Sequence, residues 1–367
     1  MAEILPGVYI EVRPEALIVP GPVSVGNIGI IGTAASGPDE PRTLSSFAQA
    51  VEVFGDYDEF EDPDTEGQPL TLVRALEIAY ANGASTVIAV RAAAGALDKA
   101  LEALLNQDAH IIVAAGQGDT FAATLMAHLI EASNDVNRRE RMGVLGSSAA
   151  APVDPPPDLP GAVVDDGGRM IFVAPGIRFK DRAKAKRLAE EGKVESSDVV
   201  LPGSYAAAAV AGMLAARAPH VSLTNKTLTA GGLEKRYNAG QLESLVSDRF
   251  LALEERRGFR VVKGITTSLN TAWHQITTRR IVDFAKIGVR SAAEPYIGLL
   301  NNDRVRKALK GSINGFLAGM VNDEMLVTYE LDVTATRDEQ IRGIARVVMT
   351  LQPTFSIDFI KVVMFLG

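Results

Sequence analysis

The chain has 367 residues, of which 47% are hydrophobic and 22% are charged, a balance typical of globular proteins and sufficient for two or three domains. The formal net charge of −8 argues against a general nucleic-acid-binding protein, because neutralising phosphates requires clustered Lys and Arg. The sequence has no cysteine, which excludes disulfides, thiolate metal sites and cysteine nucleophiles.

The first predicted element is a short strand near the N terminus. Its residues alternate, so that Val8, Ile10 and Val12 would face one side of the strand and Tyr9 the other. The proline-rich residues 14–22 favour an extended connector that can carry this strand away from its own domain. The first residues lack the basic start and apolar core of a signal peptide, and no segment is long enough to span a membrane. We therefore expect synthesis in the cytoplasm and no direct insertion into a membrane.

Apolar strands alternate with helical patterns in the middle of the chain. Strands are predicted at residues 24–33, 85–92, 110–115, 141–146 and 170–174, and helices at 43–55, 70–82, 97–106, 120–132 and 202–216. This alternation is typical of βαβ units and predicts an α/β domain with a largely parallel sheet flanked by helices. Residues 152–161 are rich in proline and residues 178–199 are charged, so surface insertions are predicted near 152–200.

The last third of the chain has a different character. Two long helical patterns, at residues 277–297 and 302–321, precede strands at 325–332 and 344–351, which predicts a smaller α+β domain. The chain then ends on an apolar and aromatic segment, residues 354–367, which has the pattern of a strand.

The terminal segment would be hazardous as a free strand. Phe355, Ile357 and Phe359 fall on one face, and Ile360 and Val362 fall on the opposite face. Unpaired strands of this composition template pairing with other chains. The segment is therefore either buried in a sheet of its own chain or intended for the sheet of another chain.

Two motifs with possible chemistry favour structural interpretations. Gly26, Gly29 and Gly32 have the spacing G-x-x-G-x-x-G, which matches neither the dinucleotide fingerprint nor a phosphate-binding loop, so we interpret them as glycines of a strand and its turn. Ser204 follows Pro-Gly at the start of a helix, without the G-x-S-x-G pattern of a nucleophile elbow, and is interpreted as a helix cap.

Two further clusters also lack the pattern of a functional site. His128 and Glu131 lie at positions i and i+3 of a predicted helix but lack the second histidine of a zinc protease motif, and a surface or cap pair is expected. The acidic residues between 56 and 66 lack the order of a calcium-binding loop and are interpreted as a solvated loop. We therefore predict no catalytic residue, cofactor or metal site.

One stretch of this acidic chain is basic. The basic residues between 278 and 310 are Arg279, Arg280, Lys286, Arg290, Arg304, Arg306, Lys307 and Lys310. Such a stretch is either a solvated helix face or a patch complementary to an acidic partner.

Several segments, in this order, resemble contractile tail sheath proteins of phage tails and related injection particles. The similar segments are LPGVYIEV at 5–12, GIIGTAASGP at 29–38, LSSFAQAVEVFG at 44–55, WHQITTRRI at 273–281 and GIARVVMTLQP at 343–353, followed by residues 355–365. The chain lacks the additional outer domains of larger sheath proteins and resembles a short, minimal member. The resemblance implies hexameric rings stacked around an inner tube, with contraction that drives the tube through a target envelope.

The resemblance also implies a separate structural role for each part of the chain. Residues 1–22 would be an N-terminal donor arm with its connector, 23–258 an outer α/β domain, 259–353 an inner domain facing the tube, and 354–367 a C-terminal donor strand. The residues implied to pair between subunits are Val8, Tyr9, Ile10, Val12, Phe355, Ile357, Phe359, Ile360 and Val362. Those implied to face the tube are Arg304, Arg306, Lys307 and Lys310, with Arg279, Arg280 and Arg290 as weaker candidates.

The implied partners are other copies of the chain, an inner tube protein, and baseplate and terminator proteins, with no nucleic acid. The implied location is a virion tail or a contractile injection particle assembled in the bacterial cytoplasm. Two alternatives stay open on the sequence. One is an α/β hydrolase-like or nucleotide-binding enzyme with an unrecognised site, and the other is a tube or baseplate component of the same particles.

Overall fold

The computed structural model describes residues 26–60, 70–93, 95–147, 159 and 161–366. The described residues divide into two compact units, one within 26–284 and 354–366 and the other within 285–353. We call the described parts of these the larger unit and the smaller unit. The predicted N-terminal strand with Val8, Tyr9, Ile10 and Val12 lies outside the described residues.

The larger unit is built on a nine-stranded sheet. The strands of the larger unit, which also form a separate three-stranded sheet of β10, β7 and β8, are β1 (Ile28–Gly32), β2 (Arg42–Leu44), β3 (Val87–Arg91), β4 (Ile111–Ala114), β5 (Met142–Gly146), β6 (Met170–Ala174), β7 (Ile177–Lys180), β8 (Asp198–Leu201), β9 (Thr227–Leu228), β10 (Gly232–Leu233), β11 (Leu251–Glu255) and β12 (Phe259–Val261). The order in the large sheet is β2-β3-β1-β4-β5-β6-β11-β12-β9. The six central strands, from β3 to β11, pair in parallel, while β2, β12 and β9 pair antiparallel at the edges. The predicted largely parallel sheet is thus confirmed.

Helices cover both faces of this sheet. They are α1 (Phe47–Phe54), α2 (Leu72–Ala81), α3 (Leu97–Leu104), α4 (Ala122–Ala132), α5 (Arg182–Glu190), α6 (Gly203–Ala215) and α7 (Ala239–Ser247). Helices α1, α2 and α6 contribute to the core on one face, and α3, α4 and α7 to the core on the other. Because both faces are covered, the central strands are continuous apolar runs rather than alternating ones.

The glycines of β1 are explained by close packing. A Cβ atom at Gly29 would lie 2.9 Å from Cδ1 of Ile112, and one at Gly32 would lie 2.6 Å from Oγ1 of Thr71. At either distance a neighbouring side chain would have to shift to admit a Cβ atom, so glycine allows the neighbouring elements to approach the strand closely. This agrees with the structural interpretation of the glycine motif.

Two side chains differ from their predicted places. Pro202 occupies the N-cap position of α6, and Ser204 is buried within the first turn of that helix, so the predicted cap is wrong. His128 is buried on α4 rather than exposed, and its Nε2 lies 2.8 Å from Nη1 of the buried Arg141. Glu131 is exposed. Burial, helped by the charge of Arg141, lowers the pKa of His128 to about 4.

The charged residues 178–199 are more ordered than a solvated insertion. Strands β7 and β8 pair antiparallel, with β10 on the other side of β7, and α5 lies between them in the chain. Asp181 links this segment to the rest of the unit. Its buried carboxylate caps α5 by accepting a hydrogen bond from the N–H of Lys184 at 3.0 Å, and it forms an ion pair with Arg74 at 2.8 Å.

The smaller unit contains helices and a β-hairpin. Its elements are the last part of α8 (Ile276–Ala293), then α9 (Asp303–Asn322), β13 (Leu326–Thr334), α10 (Arg337–Ile341) and β14 (Arg346–Pro353). Strands β13 and β14 pair antiparallel. The predicted fold class, a parallel α/β domain with a smaller α+β domain, is confirmed.

The boundary between the units differs from the predicted one after residue 258. That position lies in the hairpin between β11 and β12, where Leu253 pairs with Val261. The larger unit therefore continues to Phe284, inside α8.

Candidate assembly surfaces

The hairpin of the smaller unit has an apolar face and a polar face. Tyr329, Leu331 and Val333 alternate with exposed polar residues on β13, and across the ladder they pair with Leu351, Met349 and Val347 of β14. Helix α9 packs against β13, where Oη of Tyr329 lies 2.8 Å from Oδ1 of Asn314. We call the row of apolar side chains the inner face and the opposite row the outer face.

The inner face is incompletely covered. Leu331, Met349 and Leu351 are each only half-buried. In the described ranges, β13 and β14 pair with each other and with no other strand, so each has one free edge. A free edge carries unpaired N–H and C=O groups that bind an added strand. The hairpin is therefore a ready acceptor for two further strands.

Residues 354–366, which we call the C-terminal arm, form no strand within this chain. The arm is attached to the larger unit at Asp358. The carboxylate of Asp358 accepts hydrogen bonds from Oγ1 of Thr224 at 3.1 Å and from Nε2 of Gln275 at 3.3 Å, and Nζ of Lys263 lies 3.8 Å away. The N–H of Ser356 also donates to Oε1 of Gln275 at 3.3 Å. These contacts fix the point at which the arm leaves the larger unit.

Beyond this anchor the arm is apolar and exposed. We call residues 359–366 the arm tip. The exposed fraction of its apolar side chains lies between 74% and 100%, and its single charged residue is Lys361. Phe355 and Ile357, before the anchor, are also exposed. A contiguous apolar surface of this kind marks an interaction site.

The basic residues of α9 differ in how available they are. Arg304, Lys307 and Lys310 are exposed, although Nζ of Lys310 lies 3.4 Å from Asp332. The side chain of Arg306 is only 11% exposed and is bound to Asp303. Arg290, on α8, is half-buried. Arg304 and Lys307 are therefore the cations of this helix that are best placed to meet a partner.

Arg279 and Arg280 are buried in the larger unit. The guanidinium of Arg279 stacks over the ring of Trp273, with its carbon 4.3 Å from the ring centroid, and pairs with Asp283 at 2.5 Å. Arg280 donates to the carbonyl oxygen of Arg217 at 2.9 Å, and burial lowers its pKa to about 10. Both side chains are thus engaged within the chain, and the prediction that they face a tube does not fit their burial.

Other kinds of site have no support in the described residues. No group of three or more histidine, aspartate or glutamate side chains within the described ranges is arranged to hold a metal ion. No helix in that part of the chain has both the length and the apolarity needed to cross a membrane.

A cavity of about 870 Å³ lies beside the arm anchor, lined by Leu242, Val246, His274 and Phe359.

Comparison with known proteins bears directly on these surfaces. Residues 268–366 match the family described as the phage tail sheath C-terminal domain. The matched residues include the whole of α9, the hairpin and the C-terminal arm.

The similarity extends along the whole chain in fold. A tail sheath protein of Mycobacterium phage Bxz1 is 24% identical over 301 residues, which cover 78% of this chain and 50% of the relative, so the chain spans about half the length of that protein. The helical sheath of the anti-feeding prophage in its contracted state matches with a TM-score of 0.73 and 17% identity, covering 100% of this chain and 99% of the other.

A chain of the anti-feeding prophage baseplate, in a six-fold symmetrised structure, matches with a TM-score of 0.71 and 16% identity over 100% of both chains. The resemblance to contractile tail sheath proteins that was predicted from the sequence is confirmed.

Proposed function

We propose that this protein is the repeating subunit of a contractile tail sheath, which stacks as hexameric rings around an inner tube and contracts to drive the tube through a target envelope. The observation that carries the proposal is that one chain holds both an acceptor and a donor. The acceptor is the hairpin with two free edges, and the donor is the exposed apolar arm. The matched structures, a contracted helical sheath and a six-fold baseplate, support a ring-forming subunit.

Strand exchange is a physically suitable link for such a particle. Main-chain hydrogen bonds to an added strand hold subunits together, while the body of each subunit is free to rotate and slide. The hairpin has two edges, and the chain has two arms that could each supply one strand. One is the predicted N-terminal arm with Val8, Ile10 and Val12, and the other is the C-terminal arm. Each hairpin would then become a four-stranded sheet built from three copies.

The tube would be held by charge rather than by shape. Arg304 and Lys307 are exposed on α9 and suit an acidic tube surface. Each exposed ion pair contributes only about 0.2–1 kcal/mol. Summed over many subunits, such pairs would bind the sheath to the tube, yet each could still break during contraction. Baseplate and terminator proteins would close the two ends of the sheath.

The energy of contraction would come from the difference in packing between two sheath lattices, without a nucleotide. The particle would be a virion tail or a contractile injection particle, assembled in the bacterial cytoplasm. This proposal assigns the chain a structural role and no catalytic one.

Negative-stain electron microscopy of the purified protein tests the proposal. We expect stacked rings or hollow cylinders at high protein concentration, because each copy supplies both donor and acceptor. Sedimentation measures the same transition as a loss of the monomer. A protein that stays monomeric or forms only small closed oligomers at every concentration would contradict the proposal.

A further inference from the structure

We propose that two copies of this chain bind head to tail, with an exposed apolar loop in the smaller unit of one copy inserted into the cavity beside the arm anchor of the other. The loop is residues 297–300, which we call the knob, and we call the cavity the anchor pocket. This inference rests on the proposed function, because it specifies a contact between neighbouring sheath subunits. The contact is made by side chains and involves no pairing of strands.

The knob is an apolar turn that stays exposed. Ile297 and Leu300 are each 77% exposed and Leu299 is 55% exposed, although all three line a cavity of about 310 Å³ in the smaller unit. A single exposed leucine is common on a protein surface, but three large apolar side chains within four residues form a contiguous patch. Such a patch marks an interaction site.

Backbone hydrogen bonds hold the knob in one shape. The N–H of Ile297 donates to the carbonyl oxygen of Glu294 at 3.1 Å, and the N–H of Leu299 donates to the carbonyl oxygen of Tyr296 at 3.2 Å. Gly298 lies between them with a φ of 88°, a conformation that glycine adopts without strain. Because the turn is preformed, it loses little conformational freedom when it binds.

The anchor pocket belongs to the larger unit and has an apolar wall. Leu242, Val246, Val262 and Phe359 form this wall around a volume of about 870 Å³. The first three side chains are half-buried and Phe359 is 78% exposed, so apolar surface faces the cavity. An engineered apolar cavity of about 150 Å³ is large enough to bind benzene, so the anchor pocket has room for several side chains of the knob.

The arm anchor fixes one side of the pocket. Asp358, which accepts hydrogen bonds from Thr224 and Gln275, lines the cavity together with Phe359, the next residue. Nζ of Lys263 lies 5.2 Å from the centroid of the Phe359 ring, a cation–π contact that holds the ring at the entrance of the pocket. The pocket is therefore already formed in the single chain.

The anchor pocket also offers a cation to a carboxylate beside the knob. Arg249 lines the pocket and forms no ion pair within the described ranges, whereas Lys263 lies 3.8 Å from Asp358. Glu243, which also lines the pocket, is exposed to solvent. Glu294, which precedes the knob, is exposed and carries the charge that suits Arg249. A charge pair of this kind at the rim of an interface selects the orientation of the partner more than it adds affinity.

A contact between two different surfaces is heterologous. Each copy supplies a knob to one neighbour and an anchor pocket to another, so the contact repeats from copy to copy. Such an interface closes into a ring when its rotation permits closure, and otherwise it continues as a helix. The match to a chain of a six-fold symmetrised baseplate supports closure into a ring.

Mixed cysteine variants test this contact, since the chain has no cysteine of its own. Under conditions that give cylinders, we expect an equal mixture of Leu300→Cys and Val246→Cys copies to form dimers with a short bis-maleimide cross-linker. A mixture of Leu300→Cys and Val136→Cys copies is the matched control, because Val136 is 85% exposed in the larger unit but does not line the pocket. Each variant treated alone gives the background, and mixing single variants excludes cross-links within one copy.

A pair of lysine variants tests how much the knob contributes. Leu300→Lys brings a charge into an apolar pocket that already contains Arg249 and Lys263, so the protein concentration needed for cylinders should rise by about tenfold or more. Ile341→Lys places the same charge at another apolar position of the smaller unit and should leave this concentration unchanged. Leu300 and Ile341 are 77% and 72% exposed in the single chain, so both variants should keep the circular dichroism spectrum of wild type.

The outcomes separate this inference from the proposed function. Cross-linking at position 246 no stronger than at position 136, in cylinders that still form, would overturn the inference and leave the sheath proposal standing. Equal effects of the two lysine variants on assembly would also overturn it. Cylinders that form normally from Leu300→Lys but lack the tube would assign the knob to the tube protein and so contradict the inference as well. Failure of the wild-type chain itself to assemble would instead overturn the proposed function.

Discussion

The two units of this chain differ in how completely each buries its own sheet. In the larger unit, Ile30, Val113 and Val144 of the central strands are 0% exposed, because helices cover both faces. In the smaller unit, Leu331 and Met349 are only half-buried, and among the described residues no further strand pairs with either edge of the hairpin. The central sheet of the larger unit is thus covered within the chain, whereas the hairpin of the smaller unit leaves apolar side chains incompletely covered.

This difference indicates where stability and where assembly reside. The larger unit contains buried charged groups whose hydrogen bonds are made within the chain. Arg141, for example, is buried and donates to the carbonyl oxygens of Leu104 at 2.8 Å, Leu105 at 2.9 Å and Gln107 at 2.7 Å. The smaller unit instead leaves some apolar side chains of its hairpin half-buried and, among the described residues, two strand edges unpaired.

Deleting residues 355–367 is the strongest test of the comparison. We expect a folded, soluble protein that cannot polymerise, because the sheet core of the larger unit is independent of the arm while the hairpin loses its donor strand. Circular dichroism measures the retained fold, and electron microscopy measures the loss of cylinders. Normal cylinders formed by the truncated protein would show that the arm is not the donor.

The second prediction compares one ion pair from each unit. Asp181→Ala should lower the free energy of unfolding by about 3–5 kcal/mol, because it leaves Arg74 unpaired in the core. Asp332→Ala removes the exposed partner of Lys310 and should cost at most about 1 kcal/mol. Denaturant unfolding of both variants measures the contrast. Similar costs at the two sites would contradict the idea that the core of the larger unit carries the stability.

The third prediction concerns the exposed cations of α9. Reversing Arg304 and Lys307 to Glu should give cylinders without a tube, or already contracted cylinders, because the attraction to an acidic tube becomes repulsion. In wild type the attraction between α9 and the tube should weaken as the salt concentration rises, since the Debye length falls to about 3 Å at 1 M.

Lys99 and Lys186 provide the matched control for this charge reversal. Both are exposed on helices of the larger unit, so reversing them to Glu changes the net charge equally without touching α9. Normal, tube-filled particles from the Arg304 and Lys307 double variant would show that this helix face is merely solvated.

The fourth prediction concerns the arm anchor. Asp358→Asn removes the charge near Lys263 and one acceptor for Gln275, and hydrogen bonds to charged groups are worth about 1.5–3 kcal/mol. We expect hydrogen exchange in residues 354–358 to accelerate by about tenfold. Asp98→Asn, at an exposed position of α3, should leave that exchange unchanged. Unchanged hydrogen exchange in the Asp358 variant would show that Asp358 does not hold the arm to the larger unit.

The smallest expected effect is a pH dependence at the turn of the hairpin. The N–H of Thr336, followed by the guanidinium of Arg346, lowers the pKa of Glu339 from 4.5 to about 2. A lowered pKa in the folded state stabilises α10 fully above pH 4.5, and this contribution is lost as the pH falls towards 2. Urea unfolding between pH 5 and pH 2.5 should therefore show a smaller loss of stability in Glu339→Gln than in wild type. Equal slopes in the two proteins would contradict this assignment.

Local patterns in the sequence determined most of the fold. The alternation of apolar strands and helices predicted the parallel sheet, because a strand buried on both faces must be apolar throughout. The terminal segment was recognisable as a donor candidate because its apolar residues leave it unable to stay free in water. The order of these segments, rather than one motif, carried the resemblance to sheath proteins.

Only the tertiary structure decided which side chains are available to partners. Arg280 and Arg304 look alike in the sequence, but one donates to the carbonyl oxygen of Arg217 in the larger unit and the other is exposed on α9. The partners of Asp358 lie 83 and 134 positions away in the chain, at Gln275 and Thr224. Helical and strand periods report which face of an element is apolar, whereas burial of a charge depends on contacts between distant segments, which no local pattern records.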